Sequence, residues 1–226
     1  MTIADRWRAV QARVVGACER AGRPPAEVAL IAVSKTQPIE AVTAAAQAGA
    51  TDFGENYAQE LATKLAAVVG APPVRWHFIG RLQRNKVKLV AGKVALIHAV
   101  DTVELAEEIG KRAGGAAQPI LLAINLAGER SKGGVTGEDA PTIARQLAAV
   151  AGCSLDGLMT MPPPADDAAA SQPYFEDLRA LRDRLQDQLG RRLPVLSMGM
   201  SHDFEIAIAC GATHVRVGTA IFGARG

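Results

Sequence analysis

The sequence predicts an α/β fold, a (β/α)8 TIM barrel, and three observations carry that prediction. Short apolar runs rich in aliphatic and β-branched residues recur along the whole chain, each followed by a longer stretch of helical periodicity. The alternation yields roughly eight β-then-α units, the number that closes such a barrel. The reactive residue types fall at the C-terminal ends of the runs, where the βα loops of a barrel vary without disturbing its packed interior. A doubly wound sheet is the alternative from the same alternation, and the placement of the polar residues favours the barrel.

A helix over Ile3–Ala21 precedes the first run and ends at the Gly22–Pro25 turn, as glycine and proline beyond a helix dictate. Val28–Ser34 is the first strand, with a helix over Ile39–Gln47 behind it, and Thr51–Gly54 is the second, with a helix starting near Tyr57. Arg75–Ile79 and Ala95–Val100 follow, each again with a helical segment after it. Ile120–Asn125, Leu155–Met159, Pro194–Met198 and His214–Val217 complete the series. Ala71-Pro72-Pro73, Gly114-Gly115 and Pro162-Pro163-Pro164 are short and flanked by periodic segments. They read as loops inside one domain over 1–226 rather than as linkers.

Composition narrows the function classes. The chain has 226 residues, 49% hydrophobic and 21% charged, enough for one well-buried core. The net charge of +2 gives no field that would gather a polyanion, so nucleic acid is not an expected partner. Cys18, Cys153 and Cys210 are odd in number and set among small apolar residues, unlike a disulfide framework or a zinc site, which fits a reducing cytoplasm. The N-terminus mixes Asp5, Arg6, Arg8 and Arg13 with apolar residues, so no signal peptide is expected there, and no segment is apolar enough to span a membrane. With no long apolar stripe left over, a monomer is expected. No His, Cys and carboxylate cluster shows metal-ligand spacing.

Lys35 follows Ala29-Leu30-Ile31-Ala32-Val33-Ser34, so a period of two places it on the face of Ile31 and Val33, toward the barrel interior or its mouth. It is either a solvated strand-end lysine, the usual fate of the residue type, or an amine partly desolvated at a pocket floor. There, lost hydration disfavours the ammonium and leaves a neutral nucleophile suited to imine formation. In 214–218 the valines share one face and His214, Arg216 and Gly218 the other, which turns Arg216 inward. Gly218–Gly223 reads as a tight turn into a short helix whose free N–H groups suit an anion, or simply as a helix cap. With Ser201 after the seventh run, it occupies the loops where TIM barrels bind phosphate.

Asn56 is either a helix N-cap before Tyr57 or a contact at the mouth. His77, between Trp76 and Phe78, is either an interior histidine with satisfied hydrogen bonds or a residue of the same mouth. Met159, Met161, Met198 and Met200 read as core and pocket packing, and Asp203 and Glu205 as helix-start residues.

As a set, the motifs closely resemble the YggS/PROSC family of pyridoxal phosphate homeostasis proteins. The resemblance lies in Ala32-Val33-Ser34-Lys35-Thr36, Phe53-Gly54-Glu55-Asn56-Tyr57 and Trp76-His77-Phe78-Ile79-Gly80, with Leu82-Gln83 and Asn85-Lys86. It continues through Ser131-Lys132 and Gly134, Gly157-Leu158-Met159, Ser197–Ser201 and Val215–Gly223, in order along nearly the whole chain. The resemblance implies a fold-type III barrel, related to the N-terminal domain of alanine racemase, with pyridoxal 5'-phosphate (PLP) held as a Schiff base on Lys35. It implies Asn56 beside the cofactor ring, Ser201, Gly218 and Thr219 on the phosphate, and Arg216 near the pyridine nitrogen. His77 and Met159 complete the expected cofactor-contacting set.

The function so implied is intracellular PLP homeostasis with little or no turnover and no catalytic residue, with PLP-dependent apo-enzymes as recipients. An amino-acid racemase is the alternative. As a family, however, alanine racemases complete the site with a second β domain and a partner's tyrosine. Here the barrel takes up all 226 residues, and Tyr57 and Tyr174 fall on predicted helices. A third reading, a barrel for a phosphorylated metabolite, would leave Lys35 only a charge partner.

Overall fold

The computed structural model describes residues 1–67, 73–128 and 133–223. Ala71 and Pro72 of one expected loop, and Ser131 and Lys132 of one family motif, lie outside the described residues.

Helix α1 (Ile3–Arg20) starts where local chemistry says it should. Thr2 accepts the Asp5 amide and the Asp5 carboxylate takes the Thr2 amide, a reciprocal cap that satisfies two otherwise free donors. Trp7, Val10, Val14, Ala17 and Cys18 form its buried stripe. The stripe packs on later helices, and the polar face adds specific ties. Arg6 donates to the carbonyls of Ile221 and Phe222 at 2.7 and 3.3 Å, and Arg23, just beyond the helix, to those of Ile208 and Ala212 at 2.8 Å. The chain's first helix therefore holds its last elements in place.

Eight parallel strands close in sequence order: β1 (Ala29–Val33), β2 (Asp52–Glu55), β3 (Arg75–Phe78), β4 (Leu96–Val100), β5 (Gln118–Ile124), β6 (Cys153–Thr160), β7 (Val195–Ser197) and β8 (His214–Val217). Pairing of Ala29–Ala32 with His214–Val217 joins the first strand to the last. Helices α2 (Ile39–Gln47), α3 (Ala58–Ala67), α4 (Val103–Arg112), α5 (Ala140–Ala148), α6 (Gln172–Leu189), α7 (Phe204–Ala209) and α8 (Thr219–Phe222) follow their strands. Only β3 is followed instead by a 3-10 helix, Arg84–Leu89, which lacks a side-chain cap.

All eight expected strands are present, with no end moved by more than two residues. Alternation sorts their side chains. Phe53, Phe78 and Val215 from the strands and Leu61, Phe175 and Phe204 from the helices, all essentially fully buried, belong to one hydrophobic core. Among the described residues, no helix is long and apolar enough to cross a membrane.

Candidate functional site

A cavity of about 630 Å³ opens at the C-terminal ends of the strands. Lys35, Asn56, Met159, Ser201, Arg216, Gly218 and Thr219 all line it, so seven of the eight expected contact residues share one space. They come from the ends of five strands, β1, β2, β6, β7 and β8.

Asn56 is not the helix cap. α3 begins at Ala58, and it is the Tyr57 carbonyl that accepts the Leu61 amide at 2.9 Å, which leaves Asn56 one residue earlier, at the cavity wall. Gly80 makes that placement possible. A Cβ at Gly80 would lie 2.2 Å from the Asn56 carbonyl oxygen, so any side chain there would push the β2 exit out of position.

Lys35 is half-buried and sits in a turn gripped from behind the sheet. Ser34 donates through Oγ to Glu55 at 2.6 Å, and its carbonyl accepts Lys64 Nζ at 2.7 Å. The Thr36 amide donates to Glu60 at 2.7 Å. Lys64 ties both carboxylates together, at 2.7 Å to Glu55 and 2.8 Å to Glu60. Thr36 adopts a left-handed φ of 64°, the only non-glycine to do so among the described residues. A β-branched residue in that region is strained, and the two bonds on Ser34 and the one from the Thr36 amide hold it there. Burial pushes the Glu55 carboxyl up, against the pull of Lys64 and Ser34.

On the opposite wall, the Gly218 amide donates to Ser201 Oγ at 3.3 Å and the Thr219 hydroxyl lies 3.2 Å from the same oxygen. Buried Asp203 holds the loop that carries Ser201 by accepting the Met200 amide at 2.7 Å. Arg216 is buried, donating through Nη1 to Ser197 Oγ and through Nη2 to the Thr160 carbonyl at 3.0 Å. Burial lowers its pKa to about 10, so the guanidinium remains charged at neutral pH.

His77 is not brought to the cavity. Its ring lies inside the barrel, 2.9 Å from Asp52 Oδ1 and 3.0 Å from His98 Nε2. The satisfied-interior reading of this histidine is the one realised, because the inward phase of β3 at that depth faces other strands. Sequence reasoning missed His98, Asp52 and Ser197, although His98 and Ser197 are each the one polar residue in an apolar run. It also missed Lys64, whose helix position looks like an ordinary solvated one. Neither Tyr57 nor Tyr174 lines the cavity. Among the described residues, no group of three or more His, Cys, Asp or Glu is placed to hold a metal ion.

The profile of the family described as alanine racemase, N-terminal domain, matches residues 7–226. The pyridoxal phosphate homeostasis protein of Aquifex aeolicus is 44% identical over 227 residues, covering 100% of this chain and 99% of its own length. That of Pseudomonas aeruginosa is 44% identical over 226 residues, covering 99% and 96%. PipY of Synechococcus elongatus, solved with PLP bound, aligns with a TM-score of 0.86 at 36% identity, covering 98% of this chain and 100% of its own. The chain belongs to the alanine racemase N-terminal domain family, and within it to the pyridoxal phosphate homeostasis proteins.

Proposed function

We propose that this chain binds PLP in the mouth cavity, as a Schiff base on Lys35, and acts in PLP homeostasis by holding and releasing the cofactor with little or no turnover. One observation carries the reading: a single cavity joins a primary amine, a buried guanidinium and a cluster of two hydroxyls with a backbone amide. That donor set fits the group. When bound, PLP supplies an electrophilic aldehyde, a pyridine ring and a phosphate dianion.

Lys35 would take the aldehyde carbon, while Ser201, Thr219 and the Gly218 amide would donate to the phosphate oxygens. Asn56 and Met159 would flank the ring. Arg216 has only donors and cannot take a proton from a pyridinium, so beside the ring nitrogen it would keep that nitrogen unprotonated and the electron sink weak. The relatives' names support homeostasis over racemisation, and so does the absence of Tyr57 and Tyr174 from the residues that line the cavity. PLP-dependent apo-enzymes are the proposed recipients. The free thiols of Cys18, Cys153 and Cys210 fit a cytoplasmic setting. A monomeric single domain fits the scattering of the large exposed apolar side chains Met1, Tyr57 and Met161.

Borohydride reduction tests the reading. Purified protein should be yellow, lose its visible band on reduction and retain a covalent adduct that peptide mass spectrometry places on Lys35. An adduct elsewhere, or an unchanged spectrum in Lys35→Ala, refutes it. Turnover is tested by α-proton exchange of amino acids in deuterated water, where exchange at ordinary enzymatic rates overturns the homeostasis reading.

A further inference from the structure

The interior of a TIM barrel is ordinarily filled by branched apolar side chains. Here a row of polar residues crosses it. Asp52, His77, His98 and Ser197, all nearly fully buried, come from β2, β3, β4 and β7, and the row ends on Arg216 of β8. Burying such groups is costly unless every one is satisfied, and each of them is.

We infer that Ser197, His98, His77 and Asp52 form a one-way hydrogen-bond relay that positions the Arg216 guanidinium in the mouth cavity. The direction follows from the two ends. Arg216 has only donors, so Ser197 Oγ accepts from Nη1 and sends its own proton to His98 Nδ1, 2.8 Å away. A ring nitrogen that accepts carries no proton, so neutral His98 is protonated on Nε2 and donates to His77 Nδ1 at 3.0 Å. His77 then donates through Nε2 to Asp52 Oδ1 at 2.9 Å.

The far end accepts only. Asp52 also takes Arg75 Nε and Nη2, at 2.8 and 2.7 Å, and the Thr51 hydroxyl at 2.8 Å. Burial alone would raise its carboxyl, but those bonds and His77 hold it well below the usual carboxylate range. Burial likewise keeps His98 neutral, with its pKa well below 6.5. The reverse order would make Ser197 accept from both neighbours, with its hydroxyl proton facing no acceptor among its partners.

Every N–H and O–H in the relay points away from Arg216 and toward the carboxylate. The aligned dipoles place negative potential at the guanidinium, opposing the effect of burial on its charge. The Thr160 carbonyl fixes the second arm, so the plane of the guanidinium is set before any ligand arrives. His214 stands beside the relay, its ring 5.9 and 6.1 Å from those of His77 and His98, and turns Nδ1 to the Thr213 hydroxyl instead. The residues of the relay are thus positioning residues that act through Arg216. Only the effect on PLP rests on the proposed function.

Two measurements test this. In cofactor-free protein labelled with [15N]histidine, long-range 1H–15N spectra at pH 8 should show His77 and His98 each protonated on Nε2 alone. A proton on Nδ1 of either ring overturns the relay. In Ser197→Ala, the far-UV circular dichroism should be unchanged, PLP should bind about tenfold more weakly, the scale of one hydrogen bond to a charged group, and the visible band should be displaced. Wild-type affinity with an unmoved band in the folded variant overturns the positioning role. If Ser197→Ala does not fold, Asp52→Asn replaces it, with weaker binding and a displaced band again expected and no change again refuting. Should the wild-type protein take up no PLP, the proposed function fails while the tautomers still decide the relay.

Discussion

Two buried polar clusters support the mouth from opposite sides, and they are built on different physics. Behind the sheet, the Ser34–Glu55–Lys64–Glu60 cluster grips the Lys35 turn with full charges in a dry setting, and Glu55 Oε2 has no partner. Inside the barrel, the Asp52–His77–His98–Ser197 row reaches Arg216 through neutral groups, with charge only at its ends and each link satisfied. The ionic cluster is strong but intolerant of losing a member, because a lone buried charge costs several kcal/mol. The neutral row is directional and is governed by which nitrogen holds each proton. The first cluster fixes the backbone that carries Lys35, whereas the second holds the Arg216 guanidinium itself.

The largest expected effect is on the ionic side. Lys64→Met should lower unfolding free energy by about 3–5 kcal/mol, because Glu55 remains buried without its countercharge, as read from urea denaturation midpoints. A loss below about 1 kcal/mol would erase the contrast.

Acid should single out the neutral side. Burial lowers the pKa of His214 to about 4 and that of His98 well below 6.5. The unfolded chain then binds protons that the native state refuses, so stability present at pH 7 is lost as the pH falls from about 6.5 toward about 4. His214 alone accounts for roughly 3 kcal/mol of that loss by pH 4. Glu55, whose folded pKa is raised, acts in the opposite sense, and its contribution improves on acidification. Thermal melts from pH 7 to pH 4 should therefore fall steadily, and His214→Gln should flatten the slope; a flat wild-type profile would refute the assignment.

The smallest effect concerns strain. Thr36→Gly should raise stability by up to about 1 kcal/mol by relieving a left-handed backbone, while loosening the turn that presents Lys35. A calorimetric midpoint that drops instead would mean that the Thr36 side chain supplies more than its backbone position costs.

Much of the fold was legible because each barrel strand is a short apolar run bounded by turn residues. Val28–Ser34 became Ala29–Val33, Arg75–Ile79 became Arg75–Phe78, and His214–Val217 kept its bounds. Lys35, Ser201, Gly218 and Thr219 were legible for a related reason: strand ends in a closed barrel all face one mouth, so position along the chain converts to position in space. Asn56 was ambiguous because a one-residue shift in the start of a helix separates a cap from a wall residue. His77 was ambiguous because alternation gives its face but not its depth.

The order of apolar runs, the eight-unit count and the inward phase of Lys35 and Arg216 belong to the sequence itself, since period-two alternation and turn chemistry are local. What only the tertiary structure decided is who supports them. Lys64 reaches Glu55 across 9 residues and Ser34 across 30, and His98 reaches Ser197 across 99. Contacts at such separations depend on barrel closure and register, which set depth and partner together, and no local pattern encodes either.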